Sequence, residues 1–195
     1  MKKSLLFAFA FLFSITVFSQ ENVYIINQAF DDATLPSGWT PMGNGTYNWY
    51  ISTSNISGGK PNELQLKWTP PFNGIAYFVS TPVDLSDVTS AVLSLKHYPS
   101  FFGSNHAIVG VATSSDNGNT WNSVWSQEYN ANGQFTILET IEGPDMGKNN
   151  VLFSIYFEGN SNAISDWYFD DFQVYIVENL SVQLTSIDVP SIINN

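Results

Sequence analysis

Apolar residues recur at every second position in short runs along this chain, and this alternation constrains the fold more than any other feature. At residues 151–158, for example, every odd-numbered residue is apolar: Val151, Phe153, Ile155 and Phe157. Period-two alternation predicts half-buried strands, and the Gly, Pro, Asn, Asp and Ser residues between runs predict turns. Because helical periodicity is nearly absent, we predict an all-β antiparallel sandwich. Nine strands are predicted, at residues 23–30, 63–68, 75–80, 91–96, 107–113, 120–126, 135–141, 151–158 and 167–176.

The N-terminal end of the chain has the pattern of an export signal. Two lysines precede an apolar run at residues 5–17, and residues 17–19 read Val-Phe-Ser, a pattern of the kind that signal peptidase cleaves. This order predicts a signal peptide over residues 1–19. The run is shorter than the roughly 20 residues of a membrane-spanning helix, which favours a cleaved signal over a permanent anchor. We therefore expect a secreted or cell-surface protein with no membrane insertion after cleavage.

The rest of the chain is long enough for one domain. No internal repeat, low-complexity tract or charge run divides it, so we predict one domain over residues 21–178. Residues 179–195 contain apolar residues around Pro190 and resemble an opening strand. We predict that they are a linker or the truncated start of a following domain.

Composition and charge exclude several functions. With 17 acidic and six basic residues the formal charge is −11, which repels phosphate backbones and makes a nucleic-acid partner improbable. There is no cysteine, hence no thiol nucleophile and no thiolate metal site. The sequence has no Gly-x-Ser-x-Gly elbow, and His97 continues the apolar face of Leu93 and Leu95, as expected of a core histidine. His106 is expected in an exposed loop. We therefore predict no enzymatic activity.

One local motif predicts a hairpin. Residues 114–121 read Ser-Ser-Asp-Asn-Gly-Asn-Thr-Trp and match the Asp-box pattern Ser-x-Asp-x-Gly-x-Thr-Trp. We expect the Asp116 side chain to cap turn amides, Gly118 to take a backbone conformation that other residues resist, and Trp121 to fold onto a neighbouring strand. Asp boxes resemble those of sialidase propellers, but one copy does not make a propeller. The motif therefore predicts a structural hairpin.

Carboxylates at the two ends of the domain form a candidate metal site. If the last strand alternates regularly, Asp170 shares the apolar face with Tyr168 and Phe172 and points inward. A buried carboxylate needs a partner, and in a sandwich whose first and last strands are neighbours, Asp31 or Asp32 would approach Asp170 or Asp171. Converging carboxylates with backbone carbonyls suit Ca²⁺. The alternative is that Asp170 binds turn amides while Asp31 and Asp32 face solvent.

The same carboxylates could in principle be a glycoside-hydrolase pair, so a glycoside hydrolase fragment stays open as a second alternative. Aromatic side chains are the better candidates for ligand contact, because exposed rings pack on sugar faces or on protein partners. The candidates are Trp49 and Tyr50 in one segment, and Tyr98, Phe101 and Phe102 on or beside one loop.

With these residues in hand, the chain resembles the choice-of-anchor J domain of secreted Bacteroidetes proteins, which is related to MAM and cleaved-adhesin domains. The resemblance covers nearly the whole chain after the signal, through an ordered set of short motifs. These are residues 30–31, 35–39, 58–64, 80–86, 93–98, 111–121 and 167–174.

The resemblance implies a jelly-roll sandwich of the galactose-binding-like or MAM-like kind that binds an extracellular protein or glycan without catalysis. It implies cargo of the type nine secretion system, often part of a larger protein, and a bound cation at Asp31 and at Asp170 or Asp171, with Glu63 a further candidate. Calcium is thus the expected cofactor. The alternative function is a carbohydrate-binding module accessory to a hydrolase or protease.

Overall fold

The structure, a computed structural model, describes residues 16–103 and 105–183, with side chains described over residues 19–103 and 105–178. Most of the predicted signal, residues 1–15, and most of the predicted linker, residues 184–195, lie outside the described residues. The residues bordering them, 16–19 and 179–183, belong to the first and last strands.

The described residues form eleven strands and no α-helix. The strands are β1 (Thr16–Gln28), β2 (Thr40–Gly43), β3 (Trp49–Ser52), β4 (Glu63–Lys67), β5 (Asn73–Val79), β6 (Ala91–Phe101), β7 (Ala107–Ser114), β8 (Asn122–Tyr129), β9 (Phe135–Ile141), β10 (Leu152–Asn160) and β11 (Ile164–Gln183). All nine predicted strands are present. We missed β2 and β3, because four residues are too few to show an alternation. Within the described ranges, the only helical element is the 3₁₀ turn Ser161–Ala163, and no helix could span a membrane.

The strands form two antiparallel sheets, which confirms the predicted jelly-roll sandwich. The six-stranded sheet has the order β3-β4-β11-β6-β9, with β1 also paired to β11, and the five-stranded sheet has the order β2-β5-β10-β7-β8. Residues 23–176 make one compact unit, and the described parts of a second unit are the outer ends of β1 and β11. Every site described below lies within residues 23–176.

The core is built from the alternating residues that predicted the strands. On β6 burial alternates at every position from Ala91 to Phe101. His97 is one of these buried residues, and its ring packs parallel to that of Trp167, which confirms it as a core histidine. The fully buried residues that fill the space between the sheets include Leu64, Leu66, Phe78, Leu93, Leu95, Phe153, Ile155, Phe157, Trp167, Phe169 and Phe172.

Strand β11 departs from the regular alternation that we assumed. Trp167 and Phe169 are buried in the core, but the next core residue is Phe172 rather than residue 171. A bulge between Asp170 and Gln173 adds one residue, and Asp171 takes a φ of +48° there. Consequently Tyr168 and Asp170 both face away from the core, and the prediction that they share the face of Phe172 was wrong.

The Asp-box hairpin between β7 and β8 has the predicted geometry. Asp116 Oδ1 accepts a hydrogen bond from the Thr120 amide at 2.9 Å, and Oδ2 accepts one from the Thr120 hydroxyl at 2.7 Å. These bonds lower the pKa of Asp116 to about 2. Gly118 has a φ of +83°. Trp121 stacks on Tyr77 of β5 with ring centroids 4.9 Å apart, so the hairpin turn reaches over the outer face of the five-stranded sheet.

Candidate functional site

The Asp170 carboxyl group is buried and only half satisfied. Its side chain is fully inaccessible to solvent. Oδ1 accepts a hydrogen bond from the Asp171 amide at 2.8 Å, whereas Oδ2 has no hydrogen-bond partner among the described residues. Burial raises the pKa of Asp170 to about 7, and the nearby charges of Asp171, Asp31 and Glu63 act in the same direction. The buried carboxyl group that we predicted is therefore present, but Asp170 lies on the outer face of the sheet, opposite Lys96, rather than on the core face that we assigned to it.

A loop rather than the core covers this carboxyl group. We call residues 54–60 the covering loop, because it lies over the outer face of the six-stranded sheet. A Cβ atom at Gly59 would overlap the Asp170 carboxylate, so only glycine allows this approach. Further along, Lys96 Nζ of β6 donates to the Gly58 carbonyl at 3.1 Å, and Gln134, just before β9, donates to the Ile56 carbonyl at 3.0 Å.

The fourth anchor of the covering loop is Glu63, at the start of β4. The Glu63 carboxylate is fully buried and accepts hydrogen bonds from the Ser54 hydroxyl at 2.5 Å, the Ile56 amide at 2.8 Å and the Ser57 amide at 2.8 Å. It also accepts one from the Ser57 hydroxyl. With both oxygens doubly engaged, Glu63 holds the loop and has little capacity left for a metal ion.

The remaining predicted metal ligands, Asp31, Asp32 and Asp171, lie in different surroundings. Asp171 forms an ion pair with Lys96 at 2.6 Å, and Asp32 is exposed. Asp31 is also exposed, its charge acts on Asp170, and its carbonyl accepts a bond from Asn62 at 2.7 Å. No three Asp, Glu or His side chains in the described ranges lie close enough to hold a metal between them. The acidic side chains that stay candidates for a Ca²⁺ ion are Asp170, through Oδ2, and Asp31, and calcium would need backbone carbonyls and water as its other ligands.

The outer face of the five-stranded sheet carries a second feature, a cavity of about 390 Å³. Ile108 on β7 lines it, and in the sheet this residue lies between Glu158 on one side and Glu128 on the other. His106 Nε2 lies 3.6 Å from Glu128 Oε1 at the rim, and its side chain is 71% exposed, as predicted. The other lining residues are Asn105, Ala107, Gly159, Asn160 and Ala163.

Aromatic side chains continue this outer face beyond the cavity. Tyr156 is two residues from Glu158 on β10 and lies opposite Tyr77 on β5, with ring centroids 6.0 Å apart. Tyr156 is only 7% exposed and supports Tyr77 from the side, whereas Tyr77 and Trp121 are half-buried and remain accessible. Burial raises the pKa of Tyr77, and the neighbouring Tyr156 and Glu158 raise it further. We call the cavity together with Tyr77, Tyr156 and Trp121 the cleft.

Sequence reasoning missed the cleft, although a signal for it exists. We predicted the strands that carry Tyr77, Tyr156 and Glu158 but considered only their apolar faces. Aromatic residues at the outward positions of two such strands are the pattern that could have identified it. Trp121 was assigned a purely structural role in the hairpin, and in the structure it also contributes to this surface.

The predicted ligand aromatics separate into two groups. Trp49 and Phe101 are only 3% and 7% exposed. Trp49 stacks on Phe78 at 5.3 Å, and Phe101 packs edge-on against Trp167 at 5.8 Å. The expectation of exposed rings is thus corrected for these two, because alternation turns both side chains into the core.

The other group remains at the surface. Tyr50 and Phe102 are 42% and 46% exposed, and Tyr98 is half-buried. Phe102 packs edge-on against the exposed ring of Trp68 at 6.0 Å. All three remain accessible on or beside the six-stranded sheet.

Comparison with known proteins establishes the fold. No family model and no curated protein matches the sequence. Among solved structures, the chain is similar to the C-terminal family 22 carbohydrate-binding module of Clostridium thermocellum Xyn10B, with a TM-score of 0.55 and 12% identity over 78% of this chain and 94% of that one.

Two further structures share the fold. The K3 cleaved adhesin domain of Lys-gingipain from Porphyromonas gingivalis has a TM-score of 0.53 and 12% identity over 79% of this chain and all of that one. A two-module fragment of Clostridium thermocellum xylanase 10B, complexed with xylohexaose, has a TM-score of 0.54 and 12% identity over 88% of this chain and 30% of that one. At these identities the likeness shows the fold, one that is shared by carbohydrate-binding modules and cleaved adhesins.

Proposed function

We propose that this chain is a secreted, non-catalytic module that binds a glycan in the cleft of its five-stranded sheet. The observation that carries the proposal is the combination of a cavity, two flanking carboxylates and a neighbouring aromatic surface on one sheet face. Aromatic rings pack against the apolar faces of sugar rings, and carboxylates accept hydrogen bonds from sugar hydroxyls. The structural neighbours named above support this assignment at the level of fold.

The carboxylates of the cleft favour binding over hydrolysis. A glycosidase needs one carboxyl group whose pKa is raised so that it can protonate the leaving group, and burial is the usual cause. Glu128 and Glu158 are both exposed. The buried carboxyl group with a raised pKa, Asp170, lies under the covering loop and belongs to the other sheet. We therefore propose that the chain does not cleave its ligand.

We further propose that Ca²⁺ stabilises the domain at Asp170. The orphaned Oδ2 atom supports this proposal, because an unpaired buried acceptor is costly and a cation would satisfy it. Asp31 would supply a second charge. The ion would fix the covering loop to the end of β1 and to β11, and its role there would be structural.

Export and the identity of the ligand complete the proposal. Residues 1–19 would be removed on secretion, which N-terminal sequencing of the exported protein would show. A protein ligand, as in an adhesin, is the second candidate, and it is favoured by the likeness to cleaved adhesin domains.

Affinity gel electrophoresis of the full chain in gels that contain xylan, β-glucan, mannan or agarose tests the function directly. We expect retardation by at least one polysaccharide without release of reducing ends. Migration unaffected by every glycan, together with retention on immobilised extracellular-matrix proteins, would favour the adhesin; release of reducing ends would contradict the non-catalytic assignment.

A further inference from the structure

The outer face of the six-stranded sheet carries a row of tyrosines that crosses four strands. Tyr50 on β3 lies opposite Gln65 on β4, Gln65 lies opposite Tyr168 on β11, and Tyr168 lies opposite Tyr98 on β6. Residues that lie opposite each other in a sheet point to the same face. Because their neighbours Leu66, Trp167 and His97 fill the core, these four side chains face outward. We call them the tyrosine row.

The three rings of the row are accessible, and those of Tyr50 and Tyr168 are held by neighbouring side chains. Tyr50 is exposed and Tyr98 and Tyr168 are half-buried. The Gln65 amide between them donates to Asp166 Oδ1 at 2.7 Å and to the Tyr168 hydroxyl at 3.3 Å. Lys67 Nζ lies 4.7 Å from the centre of the Tyr50 ring, a cation–π contact. Aromatic side chains fixed in this way lose little conformational entropy when a ligand binds.

Polar side chains flank the row on one side. Two residues further along their strands, Lys67 lies opposite Asp166, and Asp166 lies opposite Ser100. This adjacent row thus offers an ammonium group, a carboxylate and a hydroxyl. It presents both donors and acceptors at distances of one or two strand spacings from the rings, about 5–10 Å, whereas Gln65 is buried and serves to hold its neighbours.

The covering loop bounds the row on the opposite side. On this side, the outward residues two positions along β4, β11 and β6 from the row are Glu63, Asp170 and Lys96. All three contact the covering loop. Beyond the polar row lie Trp68 and Phe102, whose exposed rings contact each other. The tyrosine row therefore lies between the covering loop and the Trp68–Phe102 pair, in a band that runs across the strands.

We propose that this band is a second ligand site, which binds a neutral, extended chain of pyranose sugars laid across the strands. Rings and hydrogen-bonding groups recur at the strand spacing of about 4.8 Å, which is close to the length of one sugar residue in an extended chain. A chain with a formal charge of −11 disfavours anionic glycans. The inference rests on the proposed function only in taking the ligand to be a glycan, since the band and the cleft lie on opposite sheets.

Isothermal titration of the full chain with neutral hexasaccharides, and with polygalacturonate as the anionic comparison, tests the second site. We expect two sites per chain for the neutral ligand that binds. The Tyr50→Ala/Tyr98→Ala variant should bind at one site only, whereas Tyr50→Phe/Tyr98→Phe should keep two because the rings remain. Tyr47→Ala is the matched control, since Tyr47 is 81% exposed but lies outside the row. Circular dichroism would confirm that each variant is folded.

The outcomes separate this inference from the proposed function. Loss of the second site in the double alanine variant alone supports the band. Two sites in the double alanine variant, an equal loss in Tyr47→Ala, or a preference for polygalacturonate would overturn it while leaving the cleft intact. A single site that is lost in Glu158→Ala and kept in the double alanine variant would also overturn the band. Failure of the wild type to bind any glycan would overturn both.

Discussion

The indole N–H of Trp167 donates a hydrogen bond to Nδ1 of His97 at 3.1 Å in the centre of the sandwich. On its other side His97 Nε2 lies 3.1 Å from the Tyr129 hydroxyl, so the neutral ring that accepts at Nδ1 donates at Nε2. Burial lowers the pKa of His97 to about 3. The histidine is thus held neutral, and protonating it would break the contact with Trp167.

Because His97 is buried in its neutral form, we predict that the domain loses stability as the pH falls. The folded pKa lies below the ordinary value of 6.5, so the stability contributed by neutral His97 is present above pH 6.5 and is lost as the pH falls toward 3. Between pH 6.5 and 5 we expect a loss of about 2 kcal/mol, since one pKa unit corresponds to about 1.4 kcal/mol. Urea unfolding of wild type and His97→Gln across this range measures it.

The wild-type stability should fall more steeply than that of His97→Gln, while the exposed His106→Gln control should follow the wild type. Asp170 titrates over the same range with the opposite sign, because its folded pKa is raised. The contribution of His97 is therefore obtained from the difference in unfolding free energy between wild type and His97→Gln at each pH. Parallel curves for these two proteins would contradict the account.

Calcium should stabilise the domain through Asp170. We expect 1 mM Ca²⁺ to raise the thermal midpoint relative to chelator, by RT ln(1 + [L]/Kd) in free energy. The Asp170→Asn variant should lose this response yet be as stable as wild type or more stable in chelator, since the amide carries no buried charge. Asp87→Asn, at an exposed turn, is the control. A wild-type midpoint that does not respond to Ca²⁺ would remove the proposed ion.

Removal of Glu63 should release the covering loop. Glu63→Ala leaves the buried Ser57 amide and hydroxyl without their acceptor, and we expect it to cost about 2–4 kcal/mol of unfolding free energy. Glu63→Gln, which keeps an acceptor oxygen, should cost less. Limited proteolysis should cut residues 54–60 faster in the alanine variant, and equal cleavage of the two proteins would show that Glu63 does not hold the loop.

Gly110 should control the position of Tyr156 in the cleft. A Cβ at this position would overlap the Tyr156 ring, whose hydroxyl now lies 3.1 Å from that of Ser123. Gly110→Ala should therefore displace the ring and weaken glycan binding roughly tenfold. Gly147→Ala, where the added Cβ meets no neighbour but the φ of +77° strains an alanine, is a control for lowered stability without a displaced ring. Unchanged binding in Gly110→Ala would exclude Tyr156 from the ligand site.

The sequence predicted those parts of the fold that depend on local alternation. The core residues of β10 and β6 were predicted from the alternation of apolar residues. The Asp-box hairpin was predicted from the turn-forming residues of its motif. The side of the sheet to which Tyr168 points was not predicted, because the bulge at Asp171 inserts one residue and so reverses the alternation between Tyr168 and Phe172. The burial of Trp49 was missed with the four-residue strand that carries it.

The candidate sites depended on pairings between distant strands. The surface position of Tyr50, Tyr98 and Phe102 was predictable from residue type and local pattern. The burial of Asp170 was predicted for the wrong face, because the covering loop and not the core buries it. The alignment of Tyr50 with Gln65, Tyr168 and Tyr98 requires the register of four strands that are separated by up to about a hundred residues of sequence. The same holds for the approach of Glu128 and Glu158 across β7.

Titration of the cleft carboxylate tests the central claim most directly. The wild type, Glu158→Ala and the control Glu139→Ala, which removes an exposed carboxylate from the other sheet, would be titrated calorimetrically with the polysaccharide that retards the chain in gels. The account predicts that Glu158→Ala weakens binding at the cleft at least tenfold, about 1.4 kcal/mol, and that Glu139→Ala binds as the wild type does. Equal affinities of all three proteins for the glycan would contradict the assignment of the cleft as the binding site.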